Sequence, residues 1–434
     1  MSDTPDVVVV GGGFAGVTAA RELTRHNLDV TLLEARDRLG GRTWTDIRWG
    51  KNLDMGGTWI HWTQPHVWAE VTRYGLDVTS SPDSERAGWI IKGRGCEYGT
   101  REQLEAIMDR GMSHVASRHQ ELFPRPYEPL YNESALREID HRSMAEEIAS
   151  LDPSAAEYVL LDGMWSTNFS ATTEESALTQ AVRWCALTNG DWRVMFDAIA
   201  KHKLVGGTKA LLERIAGDSH ATFRTETPVR RITADAQGVT VAHSDGTVRA
   251  RAVIVTVPIN ALAGVRFEPE LAPGRAAMAR EHQASKGSKV WIRVEGEQQP
   301  FFGYATSDHP LTLVQYEYAH DGDSLFVAFG SDGNRLDGND VNQVSNAFRA
   351  WLPDAKVVGA TEHNWTRDQY SLGTWPMLKP GQLIRYARDL YEQQPPIFFA
   401  GSDVAQGWAG FIDGAIETGL RSSRQVVAYL GDAG

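Results

Sequence analysis

The sequence has few cysteines and no long apolar stretch. Its 434 residues include only two cysteines, Cys96 and Cys185, whose spacing fits no metal site. So few cysteines favour a reducing compartment, although one distant disulfide is left open. No apolar run approaches the ~20 residues of a membrane-spanning helix, and the first residues lack the features of a secretory signal. We therefore expect a cytoplasmic protein that uses neither a metal ion nor a membrane.

Excess positive charge, repeats and compositional bias are lacking as well. The formal net charge is −13, which argues against nucleic acid and anionic membranes as main partners. No internal repeat or low-complexity tract is present, so a repeat architecture is not expected. With 42% hydrophobic and 23% charged residues, the composition is that of a globular protein long enough for two domains. A small-molecule partner fits this composition, and a homodimer is left open.

What the sequence does contain begins with an apolar strand, predicted over Val7–Val10. A G-x-G-x-x-G turn follows, and a helical pattern then runs to about His26. A second apolar strand over Val30–Leu33 ends at Glu34. The glycines of the turn are Gly11, Gly13 and Gly16. Strand, glycine turn, helix and second strand in this order predict a dinucleotide-binding unit.

Each part of this unit meets a need of a bound dinucleotide. Gly11 permits the tight turn, Gly13 lets backbone N–H groups approach a pyrophosphate, and Gly16 allows helix and strand to pack closely. The N-terminus of the helix favours an anion. Glu34, at the end of the second strand, can accept a hydrogen bond from a ribose 2′-OH. A chance glycine turn would not have all of these parts in register.

The residues after Glu34 indicate which dinucleotide binds. They read E-x-R-x-R-x-G-G-R, with arginines at Arg36, Arg38 and Arg42 and a turn at Gly41. A solvated basic loop is the alternative interpretation. The whole stretch, however, resembles the N-terminal signature of the flavin-containing amine oxidase family, which includes monoamine oxidases and bacterial nicotine-type oxidases. The resemblance implies that FAD is bound here, with Glu34 on the adenosine ribose and Arg42 near the flavin and pyrophosphate.

Two further segments are assigned to the cofactor by the same resemblance. A D-x-G-G segment similar to that of the family places Gly57 and Thr58 against the flavin, and the backbone of Val229 would meet the adenine. His61, which follows Thr58 closely, is interpreted as a structural residue without a catalytic role.

The middle and late parts of the chain suggest a second domain. Helical patterns at residues 101–122, 143–148 and 175–185 predict a helical insertion that covers the active site. Apolar strands are expected over residues 222–232, 238–243, 247–254, 251–258, 290–294, 311–318, 324–329 and 356–364. By resemblance to two-domain flavoproteins, the strand over residues 251–258 returns to the nucleotide-binding sheet. We predict an α/β fold with a Rossmann-like FAD domain and a mixed-sheet substrate domain. The FAD domain would comprise residues 1–80, 205–285 and 385–434, and the substrate domain residues 81–204 and 286–384.

Lys289 is the predicted catalytic lysine. A lysine that enters a strand is ordinarily a solvated edge residue, but the family has one beneath flavin N5 that holds a water. Lys289 matches that position better than Lys286, because the apolar strand begins directly after it. Its expected role is to position this water and to place positive charge where reduced flavin meets O2.

A segment near residue 370 resembles the part of monoamine oxidases that carries the flavin-attaching cysteine. Thr374 stands at the cysteine position, and a threonine has no thiolate with which to form a thioether. FAD is therefore expected to bind non-covalently. Trp375 falls where the family has the first aromatic residue of its substrate cage, and Trp365 of the same segment is assigned to the cofactor.

The last segment, residues 397–415, completes the expected site. By resemblance, Gly401 and Asp403 contact the ribityl–pyrophosphate portion, and the Ile412 backbone N–H points at the pyrimidine edge of the flavin. Phe411 would be the second cage aromatic, where monoamine oxidases use tyrosine. This difference keeps an aromatic face but removes a hydroxyl group, so substrate preference is left open.

Taken together, the resemblance predicts an FAD-dependent amine oxidase. Hydride passes from the carbon beside the amine nitrogen to flavin N5, the imine is hydrolysed, and O2 reoxidises the flavin to give H2O2. The expected substrate is a secondary or tertiary amine on a heteroaromatic group, such as nicotine, 6-hydroxynicotine or pseudooxynicotine. A primary monoamine or polyamine oxidase, a dehydrogenase with a protein acceptor, and a flavin scaffold without turnover are alternatives. An amino-acid oxidase would need a carboxylate-binding arginine, for which Arg183 and Arg193 are candidates.

Overall fold

The computed structural model describes residues 4–432. Its strands are β1 Val7–Val10, β2 Val30–Leu33, β3 Thr45–Arg48, β4 Lys51–Asp54, β5 Trp59–Ile60, β6 Val78–Ser80, β7 Arg86–Ile91, β8 Gly95–Thr100, β9 His202–Leu204, β10 Thr222–Arg224, β11 Val229–Asp235, β12 Gly238–His243, β13 Gly246–Ala250, β14 Ala252–Val255, β15 Arg266–Glu268, β16 Ser288–Val294, β17 Phe301–Tyr304, β18 Leu313–His320, β19 Asp323–Gly330, β20 Val357–Glu362 and β21 Ile397–Phe399.

Its α-helices are α1 Phe14–Arg25, α2 Pro65–Tyr74, α3 Arg101–Ser117, α4 His119–Leu122, α5 Glu133–Ile139, α6 Met144–Ser150, α7 Ala155–Phe169, α8 Leu178–Leu187, α9 Trp192–Ala200, α10 Thr208–Gly217, α11 Pro273–Glu281, α12 Val341–Phe348, α13 Gln382–Tyr391 and α14 Ile412–Asp432. Across residues 4–432, no helix combines the length and the apolar character that crossing a bilayer requires.

A five-stranded parallel sheet, called here the parallel sheet, has the order β10-β2-β1-β14-β21. All four residues of Val7–Val10 are buried, as expected for a central strand covered on both faces. Helix α14 packs against α1, and the C-terminal helix therefore returns to the first βα unit of the chain. Both predicted strands of the dinucleotide unit, and the helix between them, are confirmed.

One predicted strand is wrong, because it is divided between two sheets. Residues 222–232 form β10 in the parallel sheet and β11 in a four-stranded sheet of order β13-β12-β11-β15. The chain turns between them at Glu226, which has a positive φ of 53°. The predicted strands over residues 247–254 and 251–258 overlap, and the chain passes from β13 to β14 at the exposed Arg251. β14 lies in the parallel sheet, as predicted for residues 251–258. A continuous apolar pattern does not show where a chain crosses from one sheet to the next.

A seven-stranded sheet, called here the mixed sheet, has the order β20-β16-β19-β18-β17-β7-β8. Its pairs are antiparallel except that β17 and β7 run parallel. The prediction of a purely helical insertion at residues 81–204 is wrong at its start, because residues 86–100 form the hairpin β7–β8 of this sheet. Beyond the hairpin, α3 to α9 form the predicted helical layer.

Helix α7 was not predicted, and its burial explains why. Residues on all of its faces are buried, so the sequence has no alternation of apolar and polar residues with a period of 3.6. The helix packs between α3 and the strands of the mixed sheet. The predicted architecture, an α/β fold with a Rossmann-like parallel sheet beside a mixed sheet, is confirmed. The assignment of residues to two domains stays a prediction, and residues 1–3 and 433–434 of its ranges lie outside the described residues.

Gly16→Ala should destabilise the fold, because α1 crosses the glycine turn without space for a methyl group. A Cβ at this position would lie 1.9 Å from the carbonyl oxygen of Gly11. We expect the free energy of unfolding to fall by about 3 kcal/mol or more, as for an overpacked core site. The measurement is denaturant unfolding followed by circular dichroism.

Gly217→Ala is the matched control, since this helical glycine has no atom within 4 Å of its added Cβ. The control should leave stability unchanged or raise it by up to about 1 kcal/mol. Equal stability of the two variants would show that the close approach at Gly16 is not needed.

Candidate active site

A single cavity of about 440 Å³ extends from the glycine turn to the face of the mixed sheet. Its wall combines residues of both sheets, of the helical layer and of the C-terminal segment. The predicted site residues that line it are Gly11, Gly13, Glu34, Arg36, Gly41, Arg42, Gly57, Thr58, Val229, Lys289, Trp365, Trp375, Gly401, Phe411 and Ile412. Gly16 and Asp403 do not line the cavity. Gly16 lets α1 pack closely on Gly11, and Asp403 accepts a hydrogen bond from Arg42.

The nucleotide end of the cavity is formed by the glycine turn and the start of α1. Gly11 has a positive φ of 106°, which the turn requires. Gly13 is the N-cap of α1 and gives the helix no side-chain cap. The first backbone N–H groups of a helix have no partners within it, so those of α1 are free for an anion. This end therefore fits the pyrophosphate of a dinucleotide.

Glu34 is buried at the end of β2, and its carboxylate already holds the turn together. Its Oε2 atom accepts from Gly12 N at 2.6 Å, and its Oε1 atom accepts from Arg36 N at 2.8 Å. A carboxylate has about four acceptor positions, so two remain for ribose hydroxyl groups.

The basic stretch after Glu34 is not a solvated loop, because its arginines are paired and partly buried. Arg36 Nη2 donates to Asp368 Oδ1 at 2.6 Å and to Ser371 Oγ at 2.8 Å. Arg38 donates to three backbone carbonyls of residues 39–43, each at 3.2 Å, and lies over the ring of Trp44. Burial, and next the charge of Arg36, lower the pKa of Arg38 to about 10.

Arg42 connects the nucleotide end to the C-terminal segment. Its Nη1 atom donates to Thr374 O at 2.6 Å, and its Nη2 atom donates to Ser402 Oγ at 3.0 Å and to Asp403 Oδ1. Asp403 Oδ2 accepts from Ile259 N at 3.0 Å. Asp403 is thus placed behind the cavity wall, where it holds Arg42.

Lys289 lies on β16 at the centre of the cavity wall and is 5% exposed. Its Nζ atom donates to Thr58 Oγ1 at 2.6 Å and to Gly56 O at 2.9 Å. The ring of Trp59 lies 5.0 Å from the same atom. Burial lowers the pKa of Lys289 to about 8, although the charges of Asp54 and Glu317 act in the opposite direction. Lys289 is therefore a buried cation without a direct carboxylate partner.

The aromatic end of the cavity is formed by Trp375 and Phe411. Trp375 Nε1 donates to Asn168 O at 2.8 Å, which fixes the indole against the end of α7. Phe411 packs edge-on against Trp184 at 5.4 Å and Trp408 at 5.1 Å between ring centres. Trp184 is a buried core residue that also lines the cavity, and no local sequence pattern distinguishes it from the other buried tryptophans.

Neutral side chains line the rest of the aromatic end. They are Thr167, Asn168, Ile199, Leu313, Gln315 and Phe329. Neither arginine proposed as a carboxylate clamp faces this space. Arg183 donates to the carbonyls of residues 405–407, and Arg193 pairs with Asp109 at 2.8 Å on the surface. The geometry thus does not favour an amino acid as substrate.

Neither cysteine lines the cavity, and both are free thiols. Burial raises the pKa of Cys96 to about 11 and that of Cys185 to about 12. Thr374 does line the cavity, and its buried Oγ1 atom has no hydrogen-bond partner. Within residues 4–432, no group of three or more His, Cys, Asp or Glu side chains could hold a metal ion.

His61 is buried beside the cavity wall rather than in it. Its Nδ1 atom lies 2.8 Å from Thr63 Oγ1, and its ring stacks on Trp62. Burial, and next the charge of His202, lower the pKa of His61 to about 4. A neutral, stacked imidazole agrees with the structural interpretation.

Comparison with known proteins finds one protein family over nearly the whole chain. The model of the flavin-containing amine oxidoreductase family matches residues 14–427. A pseudooxynicotine dehydrogenase of a Pseudomonas species is 36% identical, covering 98% of this chain and 86% of the relative. A nicotine dehydrogenase of Pseudomonas putida is 33% identical, covering 98% and 89%. A triple mutant of putrescine oxidase shares the fold, with a TM-score of 0.86, 24% identity, and coverage of 98% and 99%.

Lys289→Met should remove a pH dependence of stability. With an ordinary pKa of 10.5 when unfolded and about 8 when folded, the unfolded state binds more protons between these pH values. The wild-type protein should therefore gain stability relative to Lys289→Met as pH rises from 8 to 10.5, by up to roughly 3 kcal/mol. Denaturant unfolding of both proteins at several pH values measures this difference.

Lys356→Met is the control, because Lys356 is exposed and pairs with Glu295 at the surface. Its stability relative to the wild type should stay nearly constant over the same pH range. A constant difference for Lys289→Met as well would contradict the depressed pKa.

Proposed function

The chain belongs to the flavin-containing amine oxidoreductase family, and from this premise we propose that it oxidises a secondary or tertiary amine carried by a heteroaromatic group. It is a flavin-dependent amine oxidoreductase, and FAD is its cofactor. We also propose that O2 is the electron acceptor, with H2O2 as the second product. The observation that carries it is the continuity of one cavity from the nucleotide end, past Lys289, to a neutral aromatic end.

The residues that line the nucleotide end hold the cofactor in this proposal. Bound FAD supplies a two-electron acceptor for the carbon–hydrogen bond beside the amine nitrogen. The glycine turn and the N-terminus of α1 bind the pyrophosphate, and Glu34 binds the adenosine ribose. The other proposed contacts are Arg36, Gly41, Arg42, Gly57, Thr58, Val229, Trp365, Gly401 and Ile412, with Asp403 acting through Arg42.

The aromatic end holds the amine. Trp375 and Phe411 present ring faces or edges on both sides of the substrate nitrogen, and the neutral wall disfavours the charged ammonium form. The neutral amine keeps the lone pair that supports loss of hydride from the neighbouring carbon. Lys289 holds a water at its Nζ atom and places positive charge at the centre of the cavity.

The relatives support a heteroaromatic amine as the substrate class. Those at 36% and 33% identity are named for pseudooxynicotine and nicotine. The neutral lining of the aromatic end suits a pyridine-bearing amine and offers no partner for a carboxylate. A primary monoamine or polyamine remains the alternative substrate.

A second candidate function differs only in the electron acceptor. Both of these relatives are named dehydrogenases, which supports an acceptor other than O2 as this second candidate, and we take that acceptor to be a protein. The proposed enzyme would then bind and oxidise the same amine, but air would restore its flavin slowly.

FAD should be released when the protein is denatured, because no thiol lines the cavity. Acid precipitation of the purified protein should leave the yellow colour in the supernatant and none in the pellet. A Cys96→Ser/Cys185→Ala control should release FAD to the same extent. Flavin fluorescence that stays with the denatured chain on a gel would contradict non-covalent binding.

Anaerobic mixing with amines tests the reaction itself. We expect nicotine, 6-hydroxynicotine or pseudooxynicotine to bleach the flavin absorbance at least tenfold faster than benzylamine, putrescine or L-amino acids, because the aromatic end is neutral. Admission of air should then restore the colour and produce H2O2.

Each other outcome points to a different function. Bleaching that air does not reverse, but a one-electron protein acceptor does, identifies the dehydrogenase. Fast bleaching by putrescine or benzylamine identifies the alternative substrate class. A yellow protein that no amine bleaches contradicts the proposal and favours a flavin scaffold.

A further inference from the structure

Gln315 is a polar residue of the cavity wall to which the proposed roles give no function. It lies on β18 and is 7% exposed. In the mixed sheet, Lys289 pairs with Phe329, and Phe329 pairs with Leu313, so these three form one row on the cavity side. Gln315 follows Leu313 by two positions and therefore faces the same side, in the next row. Gln315 thus lines the cavity in the row next to that of Lys289.

A buried ion pair determines which end of the Gln315 amide faces the cavity. Gln315 Nε2 donates to Glu317 Oε1 at 2.7 Å, and Lys203 Nζ donates to the other oxygen of the same carboxylate. An ionised carboxylate only accepts hydrogen bonds, so the NH2 group rather than the carbonyl oxygen must face Glu317. Among residues 4–432, no donor pairs with Gln315 Oε1, which is left as an acceptor toward the cavity.

An irregularity of the mixed sheet positions Glu317 for this ion pair. The register of β18 and β19 shifts between Tyr316 and Tyr318, so Glu317 has no partner residue on β19. A bulge of this kind can redirect a side chain. Glu317 meets Lys203 of β9, whose neighbour across the strand pair is the cavity residue Trp59.

Stability alone does not explain a buried pair at this place. Both side chains are at most 4% exposed. Burial acts to lower the pKa of Lys203, but the charge of Glu317 raises it, and the ammonium group stays protonated. Apolar residues of similar size are often as stabilising as a buried ion pair. Fixing the orientation of a neighbouring amide is a role that apolar residues could not fulfil.

We propose that Gln315 selects amines that carry an N–H bond, by accepting a hydrogen bond from the amine nitrogen at its Oε1 atom. The proposal rests on the proposed function, since it concerns the same substrate in the same cavity. A neutral secondary amine can donate one N–H and keep its lone pair for hydride loss. A neutral tertiary amine has no N–H, and its binding would leave the buried carbonyl oxygen unpaired. Lys203 and Glu317 are positioning residues, because they act through Gln315.

The test uses two pyridyl ketones that differ by one methyl group, one with a terminal N-methylamino group and one with an N,N-dimethylamino group. Anaerobic flavin bleaching at several concentrations gives the limiting rate and the Kd for each ketone. The ratio of limiting rate to Kd should favour the secondary amine by about 10- to 100-fold in the wild-type protein.

Gln315→Met removes the acceptor while nearly keeping the shape of the side chain. It should abolish the preference, because the secondary amine loses its acceptor while the tertiary amine no longer leaves a carbonyl oxygen unpaired; the value for the secondary amine should fall and that for the tertiary amine should stay the same or rise. Gln237→Met, in an exposed turn, makes the same chemical change away from the cavity and should leave both ketones unaffected.

Lys203→Met/Glu317→Gln tests the positioning residues without leaving a buried charge unpaired. Because an amide at position 317 can present either of its ends, the orientation of Gln315 is no longer fixed. The preference for the secondary amine should fall by about threefold or more, while the values for the tertiary amine and the melting temperature change little.

The outcomes separate this inference from the proposed function. Reaction with both ketones at equal ratios, or an equal loss for both in Gln315→Met, would overturn the inference and leave the proposed function intact. If neither ketone bleaches the wild-type flavin, the proposed substrate class is wrong and the inference falls with it.

Discussion

The guanidinium group of Arg42 joins parts of the chain that are 332 and 361 positions apart in sequence. It donates to the backbone of Thr374 and to the side chains of Ser402 and Asp403, and so connects the turn after β2 to two C-terminal segments. The aromatic wall starts at the residue after Thr374. Arg42 therefore fixes the backbone beside Trp375 relative to the nucleotide end, while Asn168 holds the indole.

Two buried lysines at and beside the middle of the cavity differ in whether a carboxylate neutralises their charge. Lys203 is neutralised by Glu317, whereas the ammonium group of Lys289 meets, among residues 4–432, a carbonyl, a hydroxyl and aromatic rings but no carboxylate. Lys203 is thereby held in its ion pair and helps to position Glu317. The charge of Lys289 is not cancelled by any direct partner, so it remains available to a negative group within the cavity.

The sequence predicted the parts of the site whose chemistry depends on local spacing. The glycine turn and Glu34 follow from a short motif, the segment from Thr374 to Trp375 follows from the resemblance to a known family, and the structure brings them to one cavity. Residues that act only through tertiary neighbours were not found. Gln315 resembles any polar residue of a strand until Glu317 and Lys203 are seen beside it, and Trp184 resembles a core residue.

The same distinction holds for the fold. The first βα unit was predictable because its periodic pattern and its turn chemistry agree. The hairpin β7–β8 and the division of residues 222–232 between two sheets were not, because pairing with distant strands decides them. Helix α7 escaped detection because burial on every side removes the amphipathic signal.

That buried helix has a consequence for how this protein can diverge. Its last turn provides the carbonyl that holds the indole of Trp375, yet none of its residues belongs to the glycine turn, the basic stretch or the segment around Asp403. With the cofactor contacts as proposed, substitutions on α7 would move the aromatic wall without removing any of those contacts. Substrate range and cofactor retention are separable traits in this chain, and selection can act on one without affecting the other.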